Sequence, residues 1–397
     1  MKILFVISWP IPDSGPAWSR IEFFSRYFVK NGHKVNILSS FSMKTFHRFG
    51  RTRMDGIRIV NFIPIIMMIN LPSLLFNVIS SIVVSFFVII YLRPQTVIIS
   101  VPVGETALGV YLWAKILRRR IVFDYRDLWE DMAIDLTKSY TRVAYGKLKD
   151  LMTVCYMKSN VIVTVTERLY QALVGRGLKN VEIVPNGADC NTFKPYESSP
   201  IRNEMGYIDS DFILIYSGMI GNYYNLDLVL EATKIATGSI PSLKLIVAGQ
   251  GPDIDRLLSK VKDLKIESIV SYIGAKTNKS ELAHIISASD LGLIPYDSQK
   301  NWVNLEGAIP VKTFEYCACG LPVLAIARQN STIANLIKVN DLGLVSEPGN
   351  VELLTQNIMV AYFNNLHAKI SNRAVNFVRK NFDRNKSAID FMELVTG

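Results

Sequence analysis

The chain has 397 residues, enough for two domains with separate cores. Its net charge of +10 lies in one half: residues 1–190 hold 24 lysines and arginines against 13 acids, whereas residues 191–397 hold 20 against 21. The basic half also carries the apolar surplus behind a mean hydropathy of +0.23. That pairing suits an anionic membrane surface or an anionic acceptor, and the absence of an aromatic-and-basic repeat argues against nucleic acid as a partner.

Lys2–Ser8 reads as a strand reached directly from Met1, with no cleavage site, so no secretory leader is expected. A loop with Pro10, Pro12, Gly15 and Pro16 follows. Ala17–Lys30 has the apolar spacing of a helix, and Lys34–Leu38 is the next strand, completing a βαβ unit. Ile59–Leu92 contains no charge. Within it Leu74–Leu92 is apolar enough to raise a transmembrane reading. Pro64, Pro72 and three asparagines interrupt the uncharged run, Arg93-Pro94 ends it, and a strand follows at once. A helix packed on the sheet is the preferred reading. An apolar face dipping into the membrane, helped by Arg118-Arg119-Arg120, and a true span stay open.

Further strands are expected at Thr96–Val101, Ile121–Tyr125, Val161–Val165 and Val181–Val184. The pattern restarts after a linker near Asn191–Arg202. Strands at Asp211–Ser217, Leu243–Ala248, Ile269–Ile273, Leu291–Ile294 and Pro322–Ala325 alternate with helices at Leu226–Ala236, Ser280–Ser287 and Val311–Cys319. Unalternating apolar runs of this kind mark parallel strands covered on both faces. The fold class is therefore α/β, with two Rossmann-like domains. No Gly-x-Gly-x-x-Gly stands at the first strand–helix turn, against a nicotinamide dehydrogenase. Cys155, Cys190, Cys317 and Cys319 lack metal-ligand spacing and read as buried thiols in a reducing, cytoplasmic setting.

The stretch Pro310–Val323 is the most informative. A helix starting after a long loop offers free N–H groups and a partial positive charge to a diphosphate. Lys312 and Glu315, three apart, share one face; the lysine suits phosphate oxygens and the carboxylate suits ribose hydroxyls. Taken alone, such a pair is more often an ordinary surface ion pair. The whole string, Pro-x-Lys-x-x-Glu-Tyr-x-Ala-x-Gly-x-Pro-Val, resembles the signature of family-4 retaining glycosyltransferases of the GT-B fold, in which two Rossmann-like domains face a cleft.

The resemblance extends over most of the chain: Gly15 in the first loop, Pro185-Asn186-Gly187-Ala188-Asp189 before the linker, Tyr216-Ser217-Gly218-Met219, Val247-Ala248-Gly249, Tyr272-Ile273-Gly274, and Arg384–Leu394 as a last helix crossing back to the first domain. It implies an acceptor-binding domain of residues 1–190 plus 382–397 and a donor-binding domain of residues 191–381. It also implies a donor site of Gly15, Gly218, Gly274, Glu306, Lys312 and Glu315. There are departures. Pro16 replaces a second glycine, and Met219 and Tyr224 stand where relatives carry Arg and Lys. Gly307 occupies the place of a usual Glu, so Glu306 either takes that role from one residue away or is only a loop charge.

Asp127 and Arg126 follow a strand end, where open α/β sheets bind ligands, and resemble an Arg-Asp-Leu-Trp element of the same branch. They are the candidate catalytic residues, with a helix N-cap as the plain alternative for Asp127. The function implied is transfer of a sugar from a UDP- or GDP-sugar to a glycan or lipid-linked saccharide, with retained configuration, in cell-surface polysaccharide or glycoconjugate assembly. No cofactor or obligatory metal is expected, and a peripheral place at the inner face of the cell membrane is. A sugar-nucleotide epimerase of the same fold and an inactive membrane-docked binding protein are the alternatives.

Overall fold

The computed structural model describes residues 1–9, 11, 16–102, 104–221, 223–297 and 307–397. The chain divides into two compact units, Met1–Asn186 with Lys386–Gly397, and Gly187–Asn385.

In the first unit eight strands form one sheet: β1 (Lys2–Ile7), β2 (Lys34–Phe41), β3 (Gly50–Met54), β4 (Ile57–Pro64), β5 (Thr96–Val101), β6 (Arg120–Tyr125), β7 (Val161–Thr164) and β8 (Val181–Ile183), in the order β3-β4-β2-β1-β5-β6-β7-β8. All neighbours are parallel except β3, which pairs antiparallel with β4 at the edge. The β3–β4 hairpin was not legible as strands, because β3 is Arg-rich and exposed and β4 runs into the uncharged segment. Strand β5 is buried at every position, as a central parallel strand should be.

Helix α1 (Pro16–Lys30) packs on one face of this sheet, and the last helix of the chain (Arg384–Thr396) joins it there. Phe391 packs at a tilt against Phe24, with ring centroids 4.7 Å apart. On the other face lie α2 (Leu71–Leu92), α3 (Glu105–Ile116), α4 (Trp129–Asp135) and α5 (Ser139–Met157), followed in sequence by α6 (Glu167–Gly175).

The uncharged segment is thus a strand followed by a crossover helix. Asn70 caps α2 by accepting from the Ser73 N–H at 2.9 Å, and Arg93 ends it in the left-handed region just before Pro94. Leu74, Val88 and Ile89 enter the core with Val60, Ile63 and Ile99. A membrane-spanning reading does not fit, because the strands on both sides of α2 belong to one sheet.

The second unit has six parallel strands: β9 (Phe212–Met219), β10 (Leu243–Gln250), β11 (Val270–Tyr272), β12 (Leu291–Pro295), β13 (Val323–Ile326) and β14 (Gly343–Ser346), in the order β11-β10-β9-β12-β13-β14. That is the doubly wound order, whose switch point falls between β9 and β12. Helices α7 (Ser198–Glu204), α8 (Leu226–Ala236), α9 (Ile254–Asp263), α10 (Lys279–Ser287), α11 (Val311–Ala318), α12 (Thr332–Val339), α13 (Val351–Phe363) and α14 (Leu366–Asn381) cover its two faces.

Candidate functional site

Helix α11 starts at Pro310, which offers no side-chain cap. The Thr313 N–H donates to the Pro310 carbonyl at 3.0 Å, and the Val311 and Lys312 N–H groups have no intrahelical acceptor. Tyr316 fixes the helix against the sheet. Its ring lies over Gly292 of β12 so closely that a Cβ there would fall 2.3 Å from it, and its hydroxyl accepts from the Ser217 N–H at 2.8 Å. The start of α11 is thereby pinned at the carboxyl end of β9, beside the switch point.

Lys312 is only 8% exposed, and its Nζ makes no hydrogen bond among the described residues. It rests between two aromatic faces, 4.0 Å from the ring centres of Tyr216 and Tyr224. Tyr224 itself stacks on Tyr296. So one of the positions where a basic residue was expected supplies a ring face to the lysine instead. Burial lowers the Lys312 pKa to about 7, against an opposing pull from Glu315. Gly218, at the end of β9, has φ of +135°, and a Cβ there would lie 2.8 Å from Nζ. A glycine is required both by the backbone and by the lysine's approach.

Glu315 is buried on the same helix face; among the described residues its Oε1 accepts no hydrogen bond, and Lys279 Nζ of α10 is 3.8 Å away. Gly274 lies beyond the end of β11, where its carbonyl accepts from the Gly249 N–H at 2.9 Å; Gly249 in turn pairs with Gly218 in the β10–β9 register. The structure therefore brings together Gly218, Lys312 and Glu315, with Gly274 two strands away on the same sheet edge. Gly15 and Glu306 lie outside the described residues.

In the first unit, Arg126 and Asp127 follow β6. Leu128, and not Asp127, holds the N-cap position of α4, so the plain alternative for Asp127 does not apply. Burial raises the Asp127 pKa to about 6, against the Arg126 charge. Arg126 is buried, with Nε 3.6 Å from Asp124 Oδ2.

Sequence reasoning missed Asp124. It accepts from Arg20 Nε and Ser100 Oγ, each at 3.2 Å. Arg20 also donates to the carbonyls of Val184 and Pro185 and to Asn186 Oδ1. The signal was an acid inside an apolar strand, Ile121–Tyr125. Glu130 was missed too; it accepts from Tyr125 Oη at 2.7 Å and Tyr156 Oη at 2.8 Å, and burial raises its pKa. Cys155, Cys317 and Cys319 are buried, and burial raises each thiol's pKa. Among the described residues no three His, Cys, Asp or Glu side chains gather as metal ligands.

Comparison with known proteins bears on the family and the fold. Residues 198–377 match the family described as glycosyl transferases group 1. N-acetyl-alpha-D-glucosaminyl L-malate synthase of Bacillus anthracis is 28% identical over 52% of this chain and 51% of its own length, so the chain spans about half of that relative. Chitobiosyldiphosphodolichol beta-mannosyltransferase of Yarrowia lipolytica is 24% identical over 87% of this chain and 76% of its own. Among solved structures, Anabaena Alr3699/HepE in complex with UDP superposes with a TM-score of 0.70 over 99% of both chains at 17% identity. That likeness is one of fold, and the fold of this chain is the two-domain α/β GT-B fold.

Proposed function

We propose that this chain is a glycosyltransferase that moves a sugar from a UDP- or GDP-sugar to a glycan or lipid-linked saccharide, with retention of configuration. The observation that carries the reading is the Lys312 ammonium, buried without a hydrogen-bond partner among the described residues, in the first turn of α11, which has no side-chain cap. A buried cation in that state calls for an anion, and a diphosphate satisfies the lysine and the helix N–H groups together. Glu315, acceptor-only when ionised, suits two ribose hydroxyls. The family match over residues 198–377 covers this region. A relative named for a diphosphodolichol-linked substrate supports the acceptor class, and a neighbour holding UDP supports the donor class.

In the reaction, the bond from the anomeric carbon to the diphosphate oxygen breaks, and a bond to the acceptor oxygen forms on the same face of the sugar. The acceptor's proton passes to the departing diphosphate, whose charge Lys312 and the α11 N–H groups stabilise. Asp127 and Arg126 are assigned to orienting the acceptor, and no metal ion is required. The donor assignment also includes Gly218 and Gly274, together with Gly15 and Glu306, which lie outside the described residues. Setting the product in cell-surface glycan assembly follows from the acceptor class.

The test is incubation with a panel of UDP- and GDP-sugars, scoring acceptor-dependent release of nucleoside diphosphate and the anomeric configuration of the product by NMR. One donor turning over with retained configuration is expected. Release of an altered nucleotide sugar without acceptor, or no turnover with any donor, overturns the reading.

A further inference from the structure

Helix α2 is inverted for a helix in water. Its buried positions are largely polar: Ser73, Asn77, Ser80, Ser81 and Ser85 face inward. Asn77, Ser80 and Ser81 on that face are hydrogen-bonded, whereas the buried Ser85 hydroxyl has no partner among the described residues. Asn77 exchanges hydrogen bonds with the backbone of Ile66, accepting at 2.8 Å and donating at 3.1 Å, and Ser80 Oγ donates to the Pro64 carbonyl at 2.8 Å. Ser81 lies against Gly109 of α3, where a Cβ would fall 2.3 Å from its Oγ.

The outward face is a stripe of large apolar side chains, Leu75, Phe76, Ile79, Val83, Phe87 and Ile90, with Ile79 60% and Phe87 65% exposed. The loop before the helix, residues 66–69, exposes four more apolar side chains. A contiguous apolar face of this kind marks an interface.

At the C-terminal end of α2, Tyr91 and Leu92 border an open pocket of about 540 Å³ lined by Lys2, Lys34, Arg53 and Arg58, with no carboxylate in its lining. Arg51 lies over the Tyr91 ring at 5.7 Å. This pocket sits at the amino ends of β1 and β2, on the sheet edge opposite the candidate catalytic residues at the end of β6.

We propose that this face docks the protein on an anionic lipid bilayer. Helix α2 lies in the membrane plane with its outer stripe in the acyl boundary, and the basic pocket takes an anionic headgroup. The helix is roughly 33 Å long at 1.5 Å per residue, which lays the stripe along the interface, and an interfacial helix combines such a face with flanking cations. Charge complementarity favours the bilayer over a second copy. In a two-fold contact along this stripe, the basic pocket beside it would gain like charge and no counter-charge. The inference does not rest on the sugar-transfer reading.

The test is flotation of the full chain, at physiological salt, with vesicles of phosphatidylcholine alone or mixed with phosphatidylglycerol. Binding to the mixed vesicles is expected, with much weaker binding to phosphatidylcholine alone. Arg53→Ala/Arg58→Ala should lower the partition to mixed vesicles about 30-fold. Ile79→Asp/Phe87→Asp should abolish binding to either vesicle while leaving the thermal midpoint unchanged, since both side chains point outward.

Four results would overturn the proposal. These are no binding to either vesicle, equal binding to both, displacement by millimolar inorganic phosphate alone, and a wild-type dimer in sedimentation that Ile79→Asp/Phe87→Asp dissociates.

Discussion

The two units bury charge at the carboxyl ends of their sheets in opposite ways. In the first, Asp124 is closed in by Arg20, Arg126 and the Ser100 hydroxyl, so a buried carboxylate meets its counter-charge within the fold. In the second, Lys312 meets two tyrosine rings and, among the described residues, no hydrogen-bond acceptor. A neutralised pair is weak evidence of function, because removing either partner simply strands the other. An ammonium without a hydrogen-bond partner among the described residues, with its pKa pushed down by burial, is what the proposed anion site rests on. Burial alone does not separate the two cases: among the described residues Lys312 has no carboxylate closing it in, whereas Arg126, though its Nε and Nη2 lack a hydrogen-bond partner there, lies 3.6 Å from Asp124.

That contrast is broken or sharpened most strongly at Asp124. Asp124→Ala leaves Arg20 buried without its carboxylate and should cost about 3–5 kcal/mol in urea unfolding, while nucleoside diphosphate affinity stays unchanged. A loss of affinity instead of stability would reverse the roles given to the two regions. Glu315→Gln should do the opposite, lowering turnover about 10²–10³-fold, the scale of one lost transition-state contact, with the unfolding midpoint unmoved.

Gly218→Ala combines both effects. The positive φ and the collision with Lys312 Nζ should cost about 1–3 kcal/mol and weaken UDP binding in titration calorimetry. The smallest effect is expected at Asp127. With its pKa raised to about 6, its charged form is lost as pH falls through 6, so kcat/KM should show an acid limb there that Asp127→Asn removes.

The same contrast explains what the sequence made legible. The local arrangement of the proposed donor region was legible because Pro310, Lys312, Glu315, Tyr316 and Gly320 lie within one helix and its stop, so their spacing translates directly into geometry. The Asp124 cluster could not, because Arg20, Ser100 and Asp124 come from α1, β5 and β6 and meet only through the sheet order. Tyr224 was read as a missing cation, whereas its ring holds Lys312; a one-dimensional pattern carries residue types and no ring faces. Helix α2 was recognised as apolar, but which of its faces points inward depends on Gly109 and the backbone at Pro64–Ile66. The β3–β4 hairpin was hidden because an exposed, arginine-rich edge strand has no apolar alternation to read.

The claim that Lys312 awaits a diphosphate has its most direct test in proton linkage. Its folded pKa of about 7 lies below the ordinary lysine value of 10.5. Between those values the unfolded chain binds more protons, so the Lys312 contribution to stability rises with pH across that window, and Lys312→Met should flatten the rise. Binding a diphosphate raises the lysine's pKa, so above pH 7 binding takes up a proton. Calorimetry of UDP binding at pH 8, in buffers of different ionisation enthalpy, should give an uptake of about one proton, with affinity falling about tenfold per pH unit above 7. The same titration with Lys312→Met should show no uptake and far weaker binding. Binding of UDP by the wild-type chain with no proton uptake and no pH dependence would contradict the account.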